Sequence, residues 1–365
     1  MRILYVTSNG GIHDYRFLKK LTVDYEVLLL HYSARNIIDE IRGIKGLKII
    51  SKRPFINSFP YLSERKHFRK IYCDFNPDIT HTGYVWQVGI LASQANVHPH
   101  LSMVWGSDTL IEPDKNWYLK KLVRKVVLQA DHIQCDAEFV KKKILSDYKI
   151  AEDKITVFPW GIDLNLFKPS DKVLCRKQFN FESDKFIVIF NRYLEPVYGV
   201  KDLLEGFKLF SKHKTDVLLL ILSDGSLRDM VTGFISENEL KNKIQVIGRV
   251  ANSEIPALLN ASDVYISTSL SDGSSLSLLE AMACGKALIL SDVPAIKEWA
   301  DEQNSLIIPR NNPQGISEAL EEYYKNRSLI KTHGLNNLKI APERADWDKN
   351  YLKLREIYDN LLRGS

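Results

Sequence analysis

Cysteine is scarce in this 365-residue chain. None of the four, Cys73, Cys135, Cys175 and Cys284, stands in a C-x-x-C or other metal-ligand spacing. That argues against a zinc module or a disulfide scaffold and suits free thiols in a reducing compartment. Long apolar runs are missing too. No stretch approaches the roughly 20 residues that span a bilayer. The opening Met1-Arg2-Ile3-Leu4-Tyr5-Val6 is too short an apolar run for the core of a secretion signal. A cytoplasmic protein is the expectation. Charge of one sign is also lacking: 50 Lys and Arg against 45 Asp and Glu leave a formal net charge of +5. So mild an excess does not point to nucleic acid. No G-x-G-x-x-G occurs, which removes the main signature of a dinucleotide site. What is present is material for a full core, with 45% hydrophobic and 26% charged residues. The length is natural for two domains.

The most informative stretch is Leu270–Asp292, which reads as loop, helix, cap and strand. Asp272–Ser275 is a polar, glycine-containing loop. Leu276–Ala283 is rich in helix formers. Gly285 stands where a helix C-cap favours positive φ. Ala287–Leu290 is a short apolar run suited to a buried parallel strand. Asp272 and Glu280 are thereby gathered, with several hydroxyls, near a helix N-terminus. Its unpaired N–H groups and partial positive charge favour a phosphate.

The same alternation of short apolar strands and helical segments runs through the chain. Ile3–Thr7 leads into Ser8-Asn9-Gly10-Gly11 and a helix from about Asp14. That is the βα unit opening a doubly wound sheet. Further strands are expected at 25–30, 78–81, 101–105, 131–134 and 155–159, then at 186–190, 217–222, 244–247, 264–268 and 306–308. Helices are expected at 114–130, 137–147, 295–300, 314–325, 328–338 and 347–362. The tetrapeptide Ser-Asp-Gly-Ser occurs at 223 and again at 271, each time after a strand. This is shared turn chemistry on one rim of a sheet. On the 114–130 helix, Lys120, Lys121, Arg124 and Lys125 fall opposite the apolar side, beside Trp117 and Tyr118. That face suits either solvent or an anionic lipid surface. Asp346-Trp347-Asp348 has the form of an Asp-x-Asp metal motif, but acids suit a helix start and no metal is assigned there.

Asp272, seven residues, Glu280 and then Ala281-Met282-Ala283-Cys284-Gly285 resemble the ligand loop of retaining glycosyltransferases of family 4. Trp160-Gly161-Ile162-Asp163 with Phe167-Lys168-Pro169 is similar to that family's domain crossing. The resemblance implies an α/β protein of GT-B fold. Two Rossmann-like, doubly wound parallel-sheet domains would face a cleft, at 1–167 and 168–345. A C-terminal helix at 346–365 would cross back to the first domain. It implies transfer of a sugar from a nucleotide-sugar donor to a hydroxyl of a glycan, glycolipid or small-molecule acceptor, with no cofactor and no metal.

In that reading Arg192 would bind the donor diphosphate, Glu280 the ribose and Asp272 the donor sugar. Gly248, Arg249 and Val250 would line the base pocket through their backbone. The N–H groups of Ser274, Ser275 and Leu276 would stabilise the leaving phosphate, and Gly10, Gly11, Trp105 and Asp108 would face the substrates. Three positions depart from the family pattern. Asp272 replaces a more usual Glu, and Trp105 a common His. Tyr198 stands where a diphosphate-binding Lys is usual, which leaves Lys201 as a substitute cation. These departures keep open a non-catalytic nucleotide-sugar-binding relative, or an epimerase on the same fold. A phosphorylase would need a cofactor lysine that the sequence does not offer. A peripheral place on the inner membrane surface is the further expectation, with no nucleic-acid partner.

Overall fold

The apolar runs do not alternate with polar residues, and strands of that kind bury both faces between helical layers. In a computed structural model of the chain, which describes residues 1–34, 36–53 and 62–364, every such run is a parallel strand. The chain divides into two compact units: residues 1–158 together with 351–365, and residues 159–350.

The first unit carries β1 (Arg2–Thr7), β2 (Glu26–Tyr32), β3 (Lys48–Lys52), β4 (Ile79–Gly83), β5 (His100–Met103), β6 (His132–Cys135) and β7 (Ile155–Val157). Their order is β3-β2-β1-β4-β5-β6-β7, and all pairings are parallel. Winding reverses between β1 and β4, where Leu4 is opposite Thr80 and Thr7 opposite Gly83. In doubly wound sheets a ligand crevice opens at such a reversal, beyond the strands' carboxyl ends. β3 is not among the strands expected from the sequence. It is an edge strand with lysine at both ends, so it presents no apolar run to read.

The second unit carries β8 (Phe186–Phe190), β9 (Val217–Ile221), β10 (Ile244–Val246), β11 (Val264–Ser267), β12 (Ala287–Ser291) and β13 (Ser305–Ile308). Their order is β10-β9-β8-β11-β12-β13, with the reversal between β8 and β11. Helices Val200–Ser211 and Pro313–Lys325 close over one core, in which Phe186, Phe190, Phe207, Leu219 and Ile316 are fully buried. Helix Leu276–Ala283 follows β11 and ends before Gly285, whose φ of +66° closes the helix as the sequence implied. The expected helix at 295–300 is only a 3-10 turn, Ile296–Glu298.

Residues 159–167, expected in the first domain, group with the second unit. There the Ile162 N–H donates to the Ala345 carbonyl at 2.8 Å, and the Trp347 N–H donates to the Ile162 carbonyl at 3.1 Å. Helix Trp347–Arg363 supplies its residues 351–363 to the first unit. Within that unit Tyr358 Oη lies 2.6 Å from His81 Nδ1, and Tyr351 Oη donates to Asp24 at 2.9 Å.

Candidate active site

The β8–β11 reversal sets the loop after β8 beside the loop after β11. Arg192 comes from the first and Asp272 from the second. Arg192 Nη2 donates to Asp272 Oδ2 at 2.6 Å, and Arg192 Nη1 donates to Ser275 Oγ at 2.6 Å and Ser277 Oγ at 3.0 Å. Both partners of the ion pair are largely buried, with side chains 11% and 14% exposed. Burial opposes the guanidinium's charge, but Asp272, Tyr198 and Tyr265 outweigh it and raise the Arg192 pKa. Burial also lifts the Asp272 carboxyl above the ordinary carboxylate value, with Arg192 holding the rise back.

The other supports of Arg192 are aromatic and hydroxylic. Its guanidinium carbon lies 4.4 Å from the centre of the Tyr198 ring. A ring face attracts a cation by its quadrupole. The Tyr198 ring thus gives the Arg192 guanidinium a surface to rest on. Below, Tyr265 Oη on β11 meets Ser277 Oγ at 2.9 Å, and Ser277 Oγ lies 3.1 Å from Ser275 Oγ. A ladder of hydroxyls therefore runs from the sheet to the guanidinium. Ser275 also caps helix Leu276–Ala283 by accepting from the Leu278 N–H, and Ser274 accepts from the Trp299 indole N–H at 3.0 Å.

Gly199 fixes the turn that carries Tyr198. Its φ is +62°, and a Cβ there would stand 2.1 Å from the Thr268 carbonyl oxygen. No other residue fits without moving the backbone. Thr268 Oγ1 in turn donates to the Tyr198 carbonyl at 2.8 Å. Glu280 lies further along helix Leu276–Ala283 and is only 5% exposed. Leu276 at the helix start is buried with it.

Lys201 is exposed in the first turn of helix Val200–Ser211. Gly248 follows β10 with φ of +84°, and Arg228 Nη1 lies 3.4 Å from where its Cβ would be. Arg249 is exposed and Val250 half-buried. The first Ser-Asp-Gly-Ser turn is held by Glu195, which accepts from the Ser226 N–H at 3.0 Å and from its hydroxyl at 2.5 Å. Among the described residues no group of three or more His, Cys, Asp or Glu could hold a metal ion.

In the first unit, Gly10 and Gly11 stand at the end of β1, but their N–H groups are engaged. Both donate to Asp14 Oδ2, at 2.8 and 3.3 Å, and Tyr5 Oη donates to Asp14 Oδ1 at 3.0 Å. Asp108 is likewise fully buried. Its carboxylate accepts from the Val85 N–H at 2.9 Å and from the Trp105 N–H at 3.0 Å. It holds backbone, and Trp105 is the half-buried side chain it helps to aim.

Sequence reasoning missed Asp14, Tyr265 and Ser277. Asp14 three residues beyond Gly11 is a readable cap signal. The Tyr265–Ser277 contact depends on how β11 meets its following helix, and no local spacing announces it.

The sequence matches the Glycosyl transferase 4-like family over residues 2–137 and Glycosyl transferases group 1 over residues 172–340. It is 23% identical to an uncharacterized glycosyltransferase of Methanocaldococcus jannaschii, over 98% of this chain and 97% of that one. It is 22% identical to the phosphatidylinositol N-acetylglucosaminyltransferase GPI3 subunit of Saccharomyces cerevisiae, over 68% of this chain and 55% of that one. The fold is similar to that of Anabaena Alr3699/HepE, solved in complex with UDP-glucose. The TM-score is 0.83 at 16% identity, over 99% of this chain and 100% of that one.

Proposed function

Because the chain belongs to the group 1 glycosyltransferases and is an enzyme of GT-B fold, we propose that it transfers a sugar from a nucleotide-sugar donor with retention of anomeric configuration. The donor would be held by the second unit, and the acceptor hydroxyl would belong to a glycan, glycolipid or small molecule recognised by the first. The observation that carries this reading is the Arg192 guanidinium, held by both terminal nitrogens at the β8–β11 reversal.

The chemistry follows from the charge. As the bond from the anomeric carbon to the diphosphate breaks, its electron pair moves to the phosphate oxygen. Arg192 and the helix N-terminus at Ser274, Ser275 and Leu276 would stabilise that growing charge. The acceptor oxygen would form the new bond and pass its proton to the departing phosphate, so no metal is needed. Asp272 and Glu280, ionised, accept hydrogen bonds and would orient donor hydroxyls, those of the sugar and the ribose. Gly248, Arg249 and Val250 would meet the base. Lys201, exposed in the first turn of helix Val200–Ser211, would supply a second cation for the diphosphate. UDP is the favoured nucleotide, since HepE is solved with UDP-glucose.

A peripheral place on an anionic cytoplasmic membrane surface belongs to the same proposal. Among the described residues no helix is long and apolar enough to cross a membrane. Helix Trp117–Gln129 has no acidic residue, and Trp117 at its start is 77% exposed. Lys121, Arg124 and Leu128 follow Trp117 along one line of the helix, all exposed. An amphipathic indole and a row of cations fit anionic headgroups.

The test is calorimetry with UDP, GDP and ADP, followed by donor turnover. Nucleotide binding with donor hydrolysis that Arg192→Ala abolishes supports the transferase. Binding without turnover would favour a non-catalytic relative, and donor-sugar inversion without transfer an epimerase.

A further inference from the structure

The first unit has its own reversal point, and three rings meet there. Tyr84 follows β4, Trp105 follows β5, and His13 sits in the first turn of helix Ile12–Asp24 after β1. The His13 and Trp105 ring centres are 5.2 Å apart, and those of Tyr84 and Trp105 6.1 Å, both edge-on. None of the three is fully buried. Beside them Tyr84 Oη and Ser107 Oγ lie 3.3 Å apart.

The backbone under these rings is strained. Tyr84, with φ of +102°, stands just before the kinked segment Val85–Gly89, and within that segment Gln87 has φ of +63°. Side chains other than glycine rarely hold such angles unless the surroundings impose them, and such sites gather where ligands bind. Asp108 supplies the restraint. It accepts from the N–H of Val85, next to Tyr84, and from the N–H of Trp105 itself.

We propose that the Tyr84–Trp105–His13 corner is a subsite for a neutral sugar ring of the acceptor, with Asp108 as its positioning residue. This rests on the transferase reading above and narrows its acceptor class. A pyranose presents an apolar C–H face and a rim of hydroxyls. An aromatic corner at a strand-end crevice, with tyrosine and serine hydroxyls at its margin, matches both features. A phosphorylated acceptor fits less well. Asn9, His13, Tyr84, Trp105, Ser107 and Asp108 include no lysine or arginine, and the carboxylates beneath are Asp14 and Asp108. An anion would lose hydration there with no lysine or arginine among these residues to offset the cost.

The test labels the full chain with 5-fluorotryptophan and identifies the Trp105 resonance by its loss in Trp105→Phe. Methyl α-glucopyranoside, N-acetylglucosamine and galactose are then titrated, with inorganic phosphate as the contrasting probe. A saturable shift of the Trp105 line by at least one sugar, in the millimolar range and not by phosphate, is expected. Asp108→Asn is expected to weaken that response at least fivefold while its far-ultraviolet spectrum stays native. A Trp105 line that no sugar moves, or that phosphate moves equally, overturns the proposal. Donor hydrolysis by the unmodified enzyme is read separately. A silent Trp105 with active hydrolysis sinks the subsite and leaves the transferase, whereas a responsive Trp105 without hydrolysis does the reverse.

Discussion

Removing the Arg192 side chain has two separable costs. The first is structural. The ion pair with Asp272 is 2.6 Å long and mostly buried, so truncating one partner leaves a carboxylate without its counter-charge. Such losses run to about 3 kcal/mol. The contact with the Tyr198 ring at 4.4 Å adds about 1 kcal/mol. Urea unfolding of Arg192→Ala is therefore expected to show a loss of about 3–4 kcal/mol. Removing Asp272 as well should recover part of it, because the stranded charge goes too; a double-mutant cycle reads that coupling at about 1–3 kcal/mol. The second cost is catalytic. Deleting one donor aimed at the developing charge typically lowers kcat by about 100- to 1,000-fold. Measured well below its melting temperature, Arg192→Ala should lose at least that much in kcat/KM. Arg192→Lys keeps the charge but not the two-armed reach to Asp272 and to Ser275 with Ser277, and should fall between. A variant that unfolds earlier yet turns over donor within about threefold of the parent would refute the catalytic half of the argument.

Other consequences can be measured directly. Tyr198→Ala removes the ring under Arg192 and should raise the donor KM about tenfold, or roughly 1.4 kcal/mol, with a smaller effect on kcat. Gly199→Ala puts a Cβ on the Thr268 carbonyl at positive φ, and calorimetry should show a melting temperature lowered by many degrees. Burial raises Asp14 to about 6 and Asp108 to about 7. The folded chain then binds more protons than the unfolded one. Their stabilising contribution is full below pH ~4, where both are protonated in either state, and is lost as pH rises through 6 and 7. Urea titrations should therefore show stability falling from pH 4 to 7, with a shallower slope in Asp108→Asn; an unchanged slope would contradict the assignment. Sedimentation with anionic vesicles should pellet the protein and release it in high salt, while Trp117→Ala with Lys121→Glu should stay in solution.

Most of the fold was legible because both sheets are wholly parallel. Strands such as Phe186–Phe190 and Val217–Ile221 are buried on both faces and stand out as unbroken apolar runs. Lys48–Lys52 hid because an edge strand needs no such run. In the second unit, the loop chemistry of Arg192 and Asp272 could be read from motif order. Their salt bridge, and the Tyr265–Ser277–Ser275 ladder beneath it, arise from the β8–β11 register and could not. Gly10 and Gly11 are expected to let backbone approach a ligand closely, and Asp14, one turn on, accepts from both N–H groups. Asp108, expected to face the substrates, accepts from the N–H groups of Val85 and Trp105. In both cases a buried carboxylate satisfies a tight loop, because unpaired N–H groups are costly there.

The most direct test is a crystal structure of the full chain with UDP bound. The account predicts a diphosphate oxygen about 3 Å from the Arg192 guanidinium, with the ribose beside Glu280. A diphosphate seated away from the β8–β11 reversal, with Arg192 still closed on Asp272 and Ser275, would contradict it.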